Sequence, residues 1–202
     1  MDAANPAAQT ARHELFLTDG NATFRWAMTD VGVILSADGL SWAIGGVDTG
    51  RSYSDIFSIR LHRASAGTSA GVGVCQICFR DGTTLVIYGG SAQGLADDAQ
   101  AVRFAAFVRD LHQRLAARDE SKRISFNAGL SEGRYTVLTI AIVASGILFG
   151  VLPLGLLIMM RDLQTLALFA GATGLLWSFY RLWEKNRPRP YSPSAVPEEL
   201  LS

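Results

Sequence analysis

The sequence predicts two parts. The first is an α+β domain, a bent antiparallel sheet capped by one helix, and the second is a two-helix transmembrane hairpin. Three observations carry this. From residue 13 to about 90, apolar residues recur at every second position, the period of half-buried strands. Near Leu95 the spacing changes to three and four, the period of a helix with one buried face. From Tyr135 to Trp183 the chain is almost wholly apolar, with no charge between Thr136 and Met160 and none between Leu163 and Tyr180.

Composition sets the bounds. The 202 residues carry 18 Lys+Arg and 18 Asp+Glu, a formal net charge of zero. That is not the basic stripe of a nucleic-acid-binding chain, and no nucleic-acid partner is expected. The 49% hydrophobic content comes from the apolar stretch rather than from an unusually greasy core. Roughly 130 residues precede that stretch, enough for a domain with its own core. Cys75 and Cys78 are too few for a disulfide scaffold and suit a reducing compartment. The opening MDAANPAAQTARHELF lacks a basic segment followed by an apolar run, so no cleaved signal peptide is expected.

Taken in order, residues 1-12 are Ala-rich and polar and read as a disordered arm. Phe24, Trp26 and Met28 then alternate with polar neighbours, followed by Val31, Val33 and Leu35. Asp38-Gly39 precedes Leu40, Trp42 and Ile44, a hairpin signal. Phe57, Ile59 and Leu61 make the next alternating run, and Cys75, Ile77 and Phe79 another. Asp81-Gly82 marks a second hairpin turn, leading into TTLVIYGG. About six strands result, joined by short turns or by the Gly/Ser/Ala-rich loop 64-71. Ala101, Phe104, Val108, Leu111 and Leu115 then line one face of a helix over roughly 96-118, with Arg103, Asp110, Gln113 and Arg114 off that stripe. Asp97 and Asp98 near its start and Arg114 and Arg118 near its end suit the helix dipole.

Residues 119-134 read as a polar juxtamembrane linker, within which Ile124, Phe126, Ala128 and Leu130 alternate and can dock on the domain or on a membrane surface. As one helix, residues 135–183 would be about 73 Å long, too long for one crossing of a hydrocarbon core about 30 Å thick. The reading is therefore transmembrane helix 1 over 135-160, a turn at Arg161-Asp162 and transmembrane helix 2 over 163-183. Lys122, Arg123 and Arg134 before the hairpin, and Arg181, Lys185, Arg187 and Arg189 after it, place both termini in the cytoplasm by the positive-inside rule. Tyr135, Trp177, Tyr180 and Trp183 would form an aromatic belt at the membrane interface. Gly146 and Gly150, with Ala167, Gly171 and Gly174, are small residues at helix-packing spacing. They serve either the hairpin packing on itself or a homodimer or docking to a membrane-protein partner. The tail 184-202 holds four of the six prolines and reads as extended and solvated.

An antiparallel set of strands followed by one amphipathic helix resembles the pleckstrin-homology-like (PH-like) fold. The features that carry the resemblance are the two Asp-Gly hairpins, the strand from Ser54-Asp55-Ile56 to Leu61, the Asp81-Gly82-Thr83 turn and the helix 96-118, over residues 13-118. It looks most similar to bacterial PH-like membrane proteins with a C-terminal transmembrane hairpin. The resemblance implies a partial barrel plugged by its C-terminal helix, a lipid- or protein-binding role, and an integral protein of the bacterial inner membrane. The loop 36-39 is Ser-Ala-Asp-Gly, acidic where phosphoinositide-binding members are basic.

No residue pattern points to catalysis, a cofactor or a metal. Cys75 and Cys78 lie three apart in an alternating strand and so face opposite ways, and no second cysteine pair completes a zinc set. His13, His62 and His112 are dispersed. The Gly-rich GTSAGVGV and YGGSAQG lack a Walker lysine and read as loops. The expectation is a membrane-anchored, non-catalytic interaction module, a scaffold, assembly or accessory protein, whose partners are the lipid bilayer and a membrane protein. The alternative is a lipid-binding or lipid-sensing protein, with Trp26, Trp42 and Phe57 lining a cavity or simply forming core. The closing Pro197-Glu198-Glu199-Leu200-Leu201 resembles an acidic dileucine sorting signal, or is a short apolar end that docks on a neighbour.

Overall fold

In β1 (Ala11–Asp19), Leu15 and Leu17 point inward while Arg12 and Glu14 face solvent, so the period of two in the sequence becomes a two-faced strand. The computed structural model describes residues 10–20, 28–64, 71–148, 155, 174, 177, 180, 183–184 and 187–201. Two compact units emerge. One comprises Met1–Ala128 with Arg189–Ser202, and the other Gly129–Pro188.

The first unit is one nine-stranded sheet. After β1 come β2 (Asp30–Leu35), β3 (Gly39–Ile44), β4 (Val47–Ser52), β5 (Ile56–Ala64), β6 (Val72–Phe79), β7 (Thr84–Tyr88), β8 (Ser125–Ala128) and β9 (Arg189–Pro190). The order across the sheet is β4-β3-β2-β1-β7-β6-β5-β8-β9. Every neighbouring pair is antiparallel except β5 and β8, which run parallel with Ile59 beside Phe126.

The two Asp-Gly turns need their glycines for different reasons. Gly82 takes a φ of +88°, which side chains disfavour. Gly39 is held by space instead, since a Cβ there would lie 2.2 Å from the Arg51 carbonyl oxygen. The tip between β3 and β4 is Gly45-Gly46, both at positive φ, the two-residue turn that matches strand twist.

Helix α1 (Asp98–Ala116) begins at Asp97, whose carboxylate accepts from the Gln100 N–H at 3.0 Å. Phe104, Phe107, Val108, Leu111 and Leu115 are fully buried against Leu15, Leu35, Ile59, Ile77 and Ile87 in one core. Phe104 reaches the sheet because the backbone beneath it is bare. A Cβ on Gly73 would lie 2.7 Å from the Phe104 ring, and one on Gly89 2.8 Å from its Cβ. The face predicted as polar also contains a buried residue, Arg114.

Three expectations change. The segment read as linker supplies β8, with Ile124, Phe126 and Ala128 buried on the domain. The tail read as solvated returns to the same domain, forming β9 and burying Leu200 and Leu201. The third change is the largest. In the second unit the described helix is α2 (Glu132–Gly146), 15 residues. Among the described residues, no helix is long and apolar enough to cross a membrane. This corrects the α+β-plus-transmembrane-hairpin fold class to a mixed nine-stranded sheet with two described helices. The integral-membrane placement, in a bacterial inner membrane with both termini cytoplasmic, rested on that hairpin and falls with it. The apolar run satisfied a length criterion by composition, and among the described residues no helix meets it. The expected turn 161-162 and most of the second expected helix lie outside the described residues.

Candidate functional site

The surface best built to hold something is at the β4 end of the sheet. Its sequence, Val-Asp-Thr-Gly-Arg-Ser, buries nothing fully, which is why alternation does not reveal it as a strand. β4 pairs with β3 and ends the sheet order, so its other edge has no strand neighbour among the described residues. The Tyr53 N–H donates to the Asp38 carbonyl at 3.1 Å, which fixes the phase of the ladder. In an antiparallel pair hydrogen-bonded positions alternate, so Arg51, Thr49 and Val47 bond inward to β3. The main-chain groups of Asp48 and Gly50 then point outward. Consistently, the Gly50 carbonyl accepts from the Arg51 Nη1 at 3.1 Å rather than from β3.

Beside this edge lies an open groove of about 870 Å³, walled by the β2–β3 turn, β4, the 3-10 turn Tyr53–Asp55 and the β6–β7 turn. Its charged lining is Asp38, Asp55 and Asp81 with Arg51 and Arg80. Arg51 Nη2 meets Asp81 at 2.8 Å. The Thr83 N–H donates to Asp81 at 2.9 Å and, with Arg51, holds its carboxyl below the usual carboxylate range. Arg80 Nε donates to the Ser54 carbonyl at 3.3 Å. Asp55 is exposed and Asp38 is 93% exposed, with Arg118 at 3.4 Å. The lining itself holds three carboxylates and two guanidiniums, and Arg118 reaches Asp38 from outside it.

The groove wall is fixed from below by the end of α1. Arg114 is 4% exposed, pairs with Asp110 at 2.7 Å and donates to the Ser36 carbonyl at 3.0 Å. The Tyr53 hydroxyl donates to the same carbonyl at 3.1 Å. Arg118 donates to the Ala37 carbonyl and sits 5.3 Å from the Tyr53 ring centroid, a cation–π contact. Burial raises the Tyr53 pKa, so the phenol stays protonated as a donor.

A second surface is already occupied by the chain's own tail. Pro190 and Arg189 pair with Asn127 and Ala128 of β8, and the Tyr191 N–H donates to the Phe126 carbonyl at 3.1 Å. The Tyr191 hydroxyl is 2.7 Å from His112 Nε2, while His112 Nδ1 is 2.7 Å from the Val108 carbonyl. That carbonyl only accepts, so Nδ1 carries the proton and Nε2 accepts from Tyr191. Burial lowers the His112 pKa to about 4 and raises that of Tyr191, so both are neutral. Further along, Arg109 pairs with Glu198 at 2.5 Å, Arg189 pairs with Glu199, and Arg63 Nη1 donates to the Glu199 carbonyl at 3.1 Å.

The residues singled out by sequence are spread among these surfaces. Cys75 is buried in the core with its thiol pKa raised by burial, and Cys78 is half-buried with the Thr84 hydroxyl 3.8 Å from its sulfur. His13 meets Asp110 at 3.2 Å and Phe107 edge-on. Trp42 stacks on Phe79 in the core, Phe57 is 56% exposed, and Trp26 lies outside the described residues.

In the second unit Tyr135 stacks on Trp183 with centroids 5.4 Å apart, and Trp183 Nε1 donates to the Thr139 hydroxyl at 2.8 Å. Tyr180 packs between Trp177 and Trp183. These four residues, expected at a membrane interface, form an aromatic cluster. A Cβ on Gly146 or Gly174 would meet none of the described atoms within 4 Å. Gly150, Ala167 and Gly171 lie outside the described residues. Sequence reasoning missed β4, Arg114 and Tyr191. For β4 the available signal was the Gly45-Gly46 pair three residues before Thr49.

No family model, no curated protein and no solved structure matches the chain.

Proposed function

We propose that the chain is a non-catalytic protein-interaction module, an assembly or accessory protein, and that β4 and the adjoining groove are its binding surface. The observation that carries this reading is the outward-facing main chain at Asp48 and Gly50 beside a groove whose walls are pinned by Arg114 and Arg118. A strand edge supplies affinity through main-chain hydrogen bonds, and side-chain pockets next to it supply selectivity. The occupant it fits is an extended segment of a partner protein carrying lysine or arginine. Arg51 is neutralised by Asp81 and Arg118 meets Asp38, whereas Asp55 is exposed with its carboxylate on the Ser52 N–H.

The test uses the full chain against a panel of synthetic 12-residue peptides, basic, acidic and neutral, read by fluorescence anisotropy. Basic extended peptides are expected to bind, and Gly50→Pro is expected to abolish binding. That substitution removes an outward N–H at a position where a Cβ meets nothing within 4 Å, and an edge strand tolerates it. Binding that survives Gly50→Pro, or no preference for basic peptides, rejects the proposal.

A further inference from the structure

The tail meets the domain as a peptide ligand meets a receptor. It adds a short strand to the β8 edge, inserts one aromatic anchor, and ends on a pair of carboxylates and two leucines. The receptor side comes from elsewhere in the chain. Phe126 lies edge-on to the Tyr191 ring with centroids 5.7 Å apart, and His112 meets its hydroxyl. Arg109 takes Glu198, Arg63 takes the Glu199 carbonyl, and the floor under Leu200 is Gly73, where a Cβ would lie 2.9 Å from the Leu200 carbonyl oxygen.

We propose that this cleft is a recognition site for segments with a short strand, a tyrosine anchor and a following 3-10 turn of Glu-Glu-Leu-Leu, and that residues 189–201 are its resident ligand, exchangeable for a segment of the same chemistry on a partner protein. Three features make the tail a ligand rather than a fixed strand. The β9 ladder spans two residues. The ion pair between cleft and tail, Arg109 with Glu198, is solvent-exposed at 57% and 67%, a class of contact that contributes little, and the Arg189–Glu199 pair lies within the tail itself. Pro190, Pro193 and Pro197 fix φ at three positions of the segment whether docked or free, which lowers the ordering cost of binding. Pro190 also lacks the N–H that a further strand would need, so the occupied edge does not propagate. The cleft lies at β8 and α1, not at β4, so this inference stands or fails independently of the preceding one.

The experiment measures binding of a fluorescent synthetic peptide covering residues 187–202 to three full-length proteins. In the wild type the tail competes at roughly millimolar effective concentration, so the added peptide binds weakly. In full-length Leu200→Glu/Leu201→Glu the resident tail is weakened, and the peptide is expected to bind at least about tenfold more tightly. The third protein, Arg109→Glu, changes an exposed residue and keeps the core intact. It is expected to prefer a peptide carrying Glu198→Arg over the wild-type peptide, reversing the order seen with the wild-type chain. If the leucine variant is folded by near-UV circular dichroism and binds no peptide, the tail is a structural element only and the proposal is overturned. Should that variant unfold, the charge-reversal pair decides. Equal binding of both peptides to Arg109→Glu, or binding of neither, overturns the proposal.

Discussion

His112 Nε2 accepts a hydrogen bond from the Tyr191 hydroxyl at 2.7 Å, joining the buried face of α1 to the chain's last segment across 79 residues of sequence. The pairing works only while the imidazole is neutral. Burial lowers its pKa from 6.5 to about 4, so the unfolded chain binds a proton there more readily than the folded one. Stability is therefore full above pH 6.5 and falls as the pH drops towards 4, by roughly 3 kcal/mol in all. Urea denaturation of the wild type and of His112→Gln at pH 7, 5 and 4 checks this, since the variant lacks the titrating group and should lose less over the same range.

Tyr191→Phe keeps the ring and removes the hydroxyl, leaving His112 Nε2 buried without that donor. The expected cost is about 1–3 kcal/mol, read as a shift in the urea midpoint at pH 7.

Two residues before His112 on α1, Asp110→Ala takes away the carboxylate that meets buried Arg114 at 2.7 Å and His13 at 3.2 Å. Breaking one side of a buried pair costs about 3–5 kcal/mol. Because Asp110 keeps some exposure, a loss near the lower end is expected. Adding Arg114→Met should recover part of it, and a double-mutant cycle on denaturation midpoints measures the coupling.

The bare floor beneath Phe104 makes Gly73→Ala a test of core packing. The new methyl would lie 2.7 Å from the Phe104 ring, and such overpacking costs about 1–3 kcal/mol. Phe104→Leu is expected to be less harmful in the Gly73→Ala background than in the wild type, as measured by thermal unfolding.

The two thiols should behave differently. Cys75 is buried with its pKa raised, while Cys78 is half-buried. A thiol reagent at pH 8 is expected to modify Cys78 in the native chain and Cys75 only after denaturation. Mass spectrometry of the modified peptides distinguishes them.

What could be read from sequence follows from what the signals measure. Alternation marks strands that bury one face, so β2, β3, β5 and β6 were legible through Val33, Leu40, Ile59 and Ile77, while β1, with Leu15 and Leu17 buried, was not among the runs singled out. The same signal is silent for β4, which buries nothing, although β4 forms the candidate site. The stripe of α1 located Phe104, Val108 and Leu111, but a charge on a helix reads as solvated, and Arg114 is buried because Asp110 and the Ser36 carbonyl meet it from two directions. Proline content marked the tail as extended, which holds at β9. Whether an extended segment is docked depends on contacts with Arg63, Arg109 and His112, far away in sequence. Hydropathy over 135–183 reported composition, and among the described residues no helix is long and apolar enough to cross a membrane.

The outward main chain of β4 is the feature on which the functional reading most depends. Amide exchange of the full chain, followed by NMR with and without the tightest-binding basic peptide of the panel, tests it directly. The account predicts slowed exchange at the Asp48 and Gly50 amides, with Thr49 and Arg51, already bonded to β3, little changed. Protection confined to other elements, or unchanged exchange at Asp48 and Gly50 under saturating peptide, would contradict it.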